Sequence, residues 1–258
     1  MRTGLLFLLS CGFLAAQSAE PAKYTGPGSC AAPSCHGGVQ ARTDTSVMQN
    51  EYSTWVVKDK HTHAYEVLKG RVAVRMAKML GFNDAVSAPR CLACHAVDAP
   101  KEQRAPNFTD ISDGVSCELC HGPASNYLGS HMSGEWKKMS AQQKAATGYL
   151  DLHDPVKRTE QCLTCHLGTQ ERNVDHELIA AGHPDLYFEL ASFQQAMPMH
   201  WKDPIDKDPW FEIRSFAAAQ GAQLAKQLDR VARNARSEEH TSELQSHHDL
   251  VCRLLLEK

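Results

Sequence analysis

Three observations predict a mainly α-helical fold with long irregular loops. Apolar residues recur at helical rather than strand spacing in several segments that open or close at Asp, Pro or Gly. Long polar connections separate those segments; residues 97–114, which contain Pro100 and Pro106, are the clearest. Eight cysteines fall in close pairs, each pair followed at once by a histidine. Loops of that length are hard to stabilise on side chains alone, so bound groups have to supply apolar core.

The chain has 258 residues, 42% hydrophobic and 22% charged, with a formal net charge of −3. It reads as one globular domain or a small pair, which excludes a disordered chain and a basic nucleic-acid-binding surface. Residues 1–18 carry Arg2, the apolar run GLLFLLSCGFLAA and the small residues Ala16 and Ser18, the layout of a cleaved export signal. The run is too short to span a bilayer, so no transmembrane helix is expected. A lipoprotein signal ending at Cys11 is the alternative.

Helices are expected over 51–80, 88–95, 133–147, 159–166, 175–181 and 185–197. A further helix opens with Asp208 as N-cap and Pro209 at its first position, in an amphipathic segment spanning 206–235. Its apolar residues Ile213, Phe216, Ala217, Leu224, Leu228 and Val231 form one stripe, which needs a partner in the preceding region or in further chain. Residues 236–258, RSEEHTSELQSHHDLVCRLLLEK, share no apolar period with that helix. Their opening looks like an in-frame translation of a sequencing-library adapter, so the native chain is expected to continue differently after Ala235. An ordinary polar tail is the other reading.

Setting aside Cys11 and Cys252 leaves eight of the ten cysteines, and setting aside His240, His247 and His248 leaves eleven of the fourteen histidines. Three pairs read CxxCH: Cys91–Cys94–His95, Cys117–Cys120–His121 and Cys162–Cys165–His166. This spacing lets two thiols add to the porphyrin vinyl groups while the adjoining histidine sits beneath the iron. Three such motifs by accident would be on the order of one in a million. Zinc ribbons do not need the regular histidine, and exported disulfide scaffolds are usually shorter. The fourth pair, Cys30 and Cys35 before His36, has four intervening residues and Gly37-Gly38 after it, much as His121 is followed by Gly122. It is expected to hold a fourth haem through a looped-out insertion, with a disulfide beside an unrelated histidine as the alternative.

Seven histidines remain, His61, His63, His131, His153, His176, His183 and His200, enough to give each of four irons a second imidazole. If 51–70 is helical, His61 shares a face with Val57, Ala64, Tyr65 and Leu68, and His63 points away. His131, in a Gly- and Ser-rich loop, and His183, at the AGHP reversal, are the next choices as distal ligands. His153 and His200 follow, with His176 last.

The phrases GPGSCAAPSCHGG, TWVVKDKHTHAY, GVSCELCHGPAS, CLTCHLG and AGHPDLYFEL resemble the multihaem cytochromes of the c-554 type, over roughly Tyr24 to Trp201. The resemblance implies a multihaem cytochrome c fold organised around stacked covalent haems, mostly bis-histidine, with one iron open in some members. It carries over His36, His95, His121 and His166 as proximal ligands and His61, His131 and His183 as distal ones. The wider step from Cys30 to Cys35 departs from the family's motif. The domain expected is a tetrahaem unit over 19–205, exported or periplasmic, passing electrons between redox proteins whose identity the sequence does not give. The alternative is the haem domain of a larger multihaem oxidoreductase acting on nitrite, hydroxylamine or a sulfur oxyanion. Catalytic haems of that wider group often have lysine in the motif, and all four motifs here end in histidine.

Overall fold

The computed structural model describes residues 20–238, with side chains through residue 235. The export-signal segment with Cys11, and the greater part of 236–258, lie outside the described residues. Among the described residues ten helices run in chain order: α1 Glu51–Lys58, α2 Arg71–Met79, α3 Pro89–His95, α4 Cys117–His121, α5 Gly134–Lys138, α6 Ala141–Ala145, α7 Pro155–His166, α8 His176–Ala181, α9 Leu190–Ala196 and α10 Phe211–Glu238. Short 3-10 turns join several of them. Among the described residues there is no strand, only an isolated bridge between Tyr24 and Arg104. No described helix is long and apolar enough to cross a membrane.

Several boundaries differ from the expected ones for local reasons. The segment 51–80 is not one helix. Asp59 is extended (φ −83°, ψ 128°) and uses its carboxylate to cap the 3-10 turn Lys60–His63, and Gly70 (ψ 155°) breaks the chain again before α2. The helix expected over 133–147 divides at Met139, because Ser140 and Gln143 form a reciprocal capping box that starts α6 afresh. Helix α7 begins earlier than expected, with Asp154 as N-cap and Pro155 in the first turn. Helix α9 begins later, where the Glu189 carboxylate accepts from the Ala191 and Ser192 N–H groups. Asp208 caps the turn that leads into α10, its carboxylate accepting the Trp210 N–H at 3.3 Å and its carbonyl the Phe211 N–H at 3.0 Å, and the helix itself starts at Phe211.

The core is thin and divided. One cluster joins Leu68, Ala77, Ala85, Leu92 and Ala96; a second joins Leu163, Leu167, Phe188, Leu190 and Ala219; a third joins Ala124, Tyr127 and Trp136. Arg90 of α3 pairs with Asp175 and Glu177, tying it to the start of α8. All three clusters border one central cavity of about 1130 Å³.

Helix α10 packs on α7 and α9 through a face other than its apolar stripe. Ala219, 1% exposed, allows close approach, and Gln223 and Arg230 donate to the carbonyls of Phe188 and Leu167 at 2.5 and 3.0 Å. Ile213, Phe216, Leu224, Leu228 and Val231 are all exposed. Of the two partners expected for the stripe, the preceding region is not the one it meets among the described residues, because small and hydrogen-bonding residues fit the surface α10 packs on. Leu224→Lys and Leu228→Lys should therefore change stability by less than about 0.5 kcal/mol, whereas Ala219→Leu should cost about 1–3 kcal/mol by overpacking. Thermal unfolding of the three variants checks this.

Candidate haem-binding site

Three of the four motifs lie on helix. In α3, α4 and the last turn of α7, the two cysteines are three positions apart, so both thiols leave from one face, and the histidine ends the helix. The first motif reaches a similar arrangement without a helix. The His36 N–H donates to the Cys30 carbonyl at 3.2 Å, and Cys35 N–H to Ala32 at 2.8 Å, while Ala32, Pro33 and Ser34 bulge into solvent. Gly37 is required by this closure, since a Cβ there would stand 1.8 Å from the Ala31 carbonyl oxygen. Gly122 after the third motif meets a similar demand: its φ is +82°, and a Cβ would stand 2.0 Å from the Gly148 carbonyl oxygen.

All eight thiols are free and line the central cavity. Nine histidines line it as well: His36, His61, His95, His121, His131, His153, His166, His183 and His200. Its wall is otherwise largely apolar, with Trp55, Leu68, Tyr127, Trp136 and Phe188. No described cluster of three or more His, Cys, Asp or Glu is arranged to hold a bare metal ion. Motifs also meet across the cavity, where Cys30 and Cys117 lie close enough to perturb each other's ionisation, as do Cys94 and Cys165. Cys120 in turn feels the charge of Cys162 and Cys165. In space the motifs therefore run from the first to the third, then the fourth, then the second.

The imidazoles fall into facing pairs. Ring centres are 6.1 Å apart for His36 and His131, 6.1 Å for His61 and His166, and 6.4 Å for His95 and His183. The first pair is nearly parallel, at 12°, and the other two are crossed, at 84° and 86°. Two nitrogen ligands each bound at about 2 Å to one metal put their ring centres about 6 Å apart, so this spacing fits an iron between the rings. Five of these six rings have Nδ1 hydrogen-bonded. His36 meets Glu51, His61 meets Asp59, His95 the Ala64 carbonyl, His131 the Tyr127 carbonyl and His183 the Pro184 carbonyl, at 2.7–2.9 Å. Anchoring Nδ1 leaves Nε2 as the free lone pair, the usual condition of a metal-ligating histidine. Phe188 and Phe193 flank His166, with ring centres 5.6 and 4.9 Å away.

His121 differs. The imidazoles that bear on it electrostatically are His200, His36 and His153, in that order. Burial, reinforced by these neighbours, lowers its pKa to about 4, and burial with His61 does the same for His166. Both rings are therefore neutral near pH 7, the protonation state that binds a metal. Glu51 raises the His36 pKa against its burial. His153 lies at the rim, its side chain 80% exposed and paired with Asp151. His200 lies deeper, and burial lowers its pKa. His63 and His176 do not line the cavity.

His61 reaches the cavity by a different route from the helical face assigned to it. Val57, placed on the same face, is 72% exposed. The 3-10 turn, held by Asp59 and by the Val115 N–H donating to the His61 carbonyl at 3.0 Å, aims the ring instead. The sequence reading also missed Glu118, the residue after Cys117. Its buried carboxylate accepts from the backbone N–H groups of Thr25, Gly26 and Ala124. An acid where the other regular motifs have Leu was the available signal.

Residues 29–122 match the family model described as cytochrome c554 and c-prime. The chain is also similar to cytochrome c-554 of Nitrosomonas europaea, at 28% identity over 184 residues, covering 62% of this chain and 68% of that one. No solved structure matches.

Proposed function

With a c-554-type multihaem cytochrome supported by both matches, we propose that the chain is an exported tetrahaem electron carrier. Haems attach at Cys30/Cys35, Cys91/Cys94, Cys117/Cys120 and Cys162/Cys165, with His36, His95, His121 and His166 as proximal ligands. The observation that carries this reading is the set of three imidazole pairs at 6.1–6.4 Å, which makes His131 distal to His36, His183 to His95 and His61 to His166. His153 and His200 are the imidazoles available near His121. Bound haem supplies a reversible one-electron iron centre with a low potential, because two histidines favour ferric iron more than a histidine and a methionine do. The chain's own residues orient the axial rings, exclude water with aromatic walls and bring the four motifs into a continuous sequence across the cavity. A cavity of this size also accounts for the thin core, since protein interiors otherwise close-pack.

In this reading the haem unit covers 19–205, residues 206–235 are an appended amphipathic segment, and 1–18 direct export. Residues 236–258 are read as non-native. The partners are redox proteins of unidentified kind.

Intact-mass measurement on protein matured in a host with c-haem assembly tests the count directly. Four haems are expected. A mass corresponding to three, with Cys30 and Cys35 unmodified, would remove the first site.

A second reading has a specific observation behind it. His121 is not held in a facing pair like the other proximal rings, so its iron could keep an open position and react with a small ligand. A high-spin haem in the unaltered protein that binds cyanide or nitrite would shift the assignment towards an oxidoreductase. A wholly low-spin protein would leave the carrier.

A further inference from the structure

The anchored rings do not share one kind of acceptor. His95, His131 and His183 donate from Nδ1 to neutral backbone carbonyls. His36 and His61 meet carboxylates, Glu51 Oε2 and Asp59 Oδ1, both at 2.9 Å. The ligand pair His95 and His183 is therefore held by two neutral groups, while each of the other two pairs has one anionic anchor.

Both carboxylates are built into the wall of the cavity. The Asp59 side chain is 3% exposed; its Oδ1 also accepts the His61 N–H at 3.0 Å, and its buried Oδ2 has no hydrogen-bond partner. The Glu51 side chain is 17% exposed, with Oε1 fixed by the Met48 and Gln49 N–H groups at 2.7 and 3.1 Å. Among the described residues the ion-pair partner of each is its histidine. A carboxylate on Nδ1 makes the opposite nitrogen a stronger donor than a carbonyl does. Negative charge in a low-dielectric wall also favours the more positive, oxidised iron. The unpartnered Asp59 Oδ2 leaves that charge undiluted by hydrogen bonding.

We infer that Asp59 and Glu51 are positioning residues that set reduction potential, holding the sites of His61/His166 and His36/His131 below the site of His95/His183. The inference rests on the bis-histidine reading above. It makes the Cys91/Cys94 site, at one end of the spatial sequence of motifs, the first of the three to hold an electron at equilibrium.

The test is a redox titration, followed by visible and paramagnetic resonance spectra, of the full holoprotein and two isosteric variants. Asp59→Asn keeps an oxygen for His61 and removes the charge. One low-spin haem should become easier to reduce by about tenfold in its reduced-to-oxidised ratio, about 59 mV for one electron, with the other haems unmoved. Glu51→Gln removes the other charge, and because its one oxygen also serves the Met48 and Gln49 N–H groups, it should ease reduction of the haem with near-parallel axial rings by at least as much; it provides the test if Asp59→Asn does not fold. Asp59→Glu, which restores the charge, should return the potential towards its original value. Low-spin haems whose potentials move less than twofold in both isosteric variants would overturn the inference. So would Asp59→Glu and Asp59→Asn raising the potential equally, which would indicate packing rather than charge. Failure of the ligation reading looks different: the unaltered protein would then lack bis-histidine low-spin signals.

Discussion

Replacing His131, His61 or His183 by alanine should convert one haem in each case from low-spin to high-spin while four haems remain attached. Each ring faces a motif histidine at 6.1–6.4 Å, and each is held through Nδ1, so its Nε2 is committed to the space between them. Alanine removes the sixth ligand without touching the thioethers or the proximal ring. The three variants can be told apart, because His36 and His131 are 12° from parallel whereas the other pairs are crossed. Near-parallel imidazoles give a rhombic low-spin resonance and crossed ones a strongly anisotropic one. His131→Ala should remove the rhombic signal alone, and His61→Ala and His183→Ala should each remove part of the anisotropic one. An unchanged low-spin spectrum in all three would refute the distal assignments. The oxidised protein should also lack the far-red band of methionine-ligated iron, since Met132 and Met199 each adjoin a histidine that competes for the same metal.

The motifs were legible because their chemistry is local. Two thiols and a histidine within a few residues specify haem attachment whatever the fold around them, and the excess of histidines over four pointed to second ligands. Which histidines serve is a tertiary matter, and the helical-face argument for His61 depended on a helix that Asp59 interrupts. Asp59 carried a signal in hindsight: an Asp two residues before a histidine can cap a turn and hold the ring at once. His131 stands out for its Gly- and Ser-rich loop and His183 for its chain reversal, and the structure brings both to the cavity beside motif histidines of other elements. The stripe on α10 did not tell which surface the helix meets in this region, because periodicity reports that a helix has an apolar face and not what covers it. There, Ala219, Gln223 and Arg230 determine the contact. The thin side-chain core could be anticipated only from the loops, since an apolar cofactor leaves no periodic trace in sequence.

Glu118→Ala should produce the largest loss of stability of any single change outside the ligands. The carboxylate is 2% exposed and takes the Thr25 N–H at 2.8 and 3.0 Å, the Gly26 N–H at 2.6 Å, the Ala124 N–H at 2.7 Å and the Thr25 hydroxyl at 3.2 Å. It thereby fastens the strand of chain entering the first motif to the helix of the third and to the turn leaving it. Alanine would leave three buried backbone donors unpaired, at roughly 1–3 kcal/mol each, for a total cost of about 3–5 kcal/mol once relaxation is allowed. At about 2–4 °C per kcal/mol for a chain of this size, the midpoint of thermal unfolding should fall by about 10 °C. Glu118→Gln keeps one oxygen, which can serve Thr25 and Ala124 but not Gly26, and should cost about 1–3 kcal/mol. The loss has a functional reading too. Thr25 and Gly26 lead directly into Pro27–Cys30, so loosening them should broaden the spectrum of the haem at Cys30/Cys35 before the others. Unfolding midpoints for the two variants, with the rhombic resonance of the His36 site followed on heating, check both parts. A Glu118→Ala protein within about 1 kcal/mol of the original would show that the N-terminal segment is fastened elsewhere.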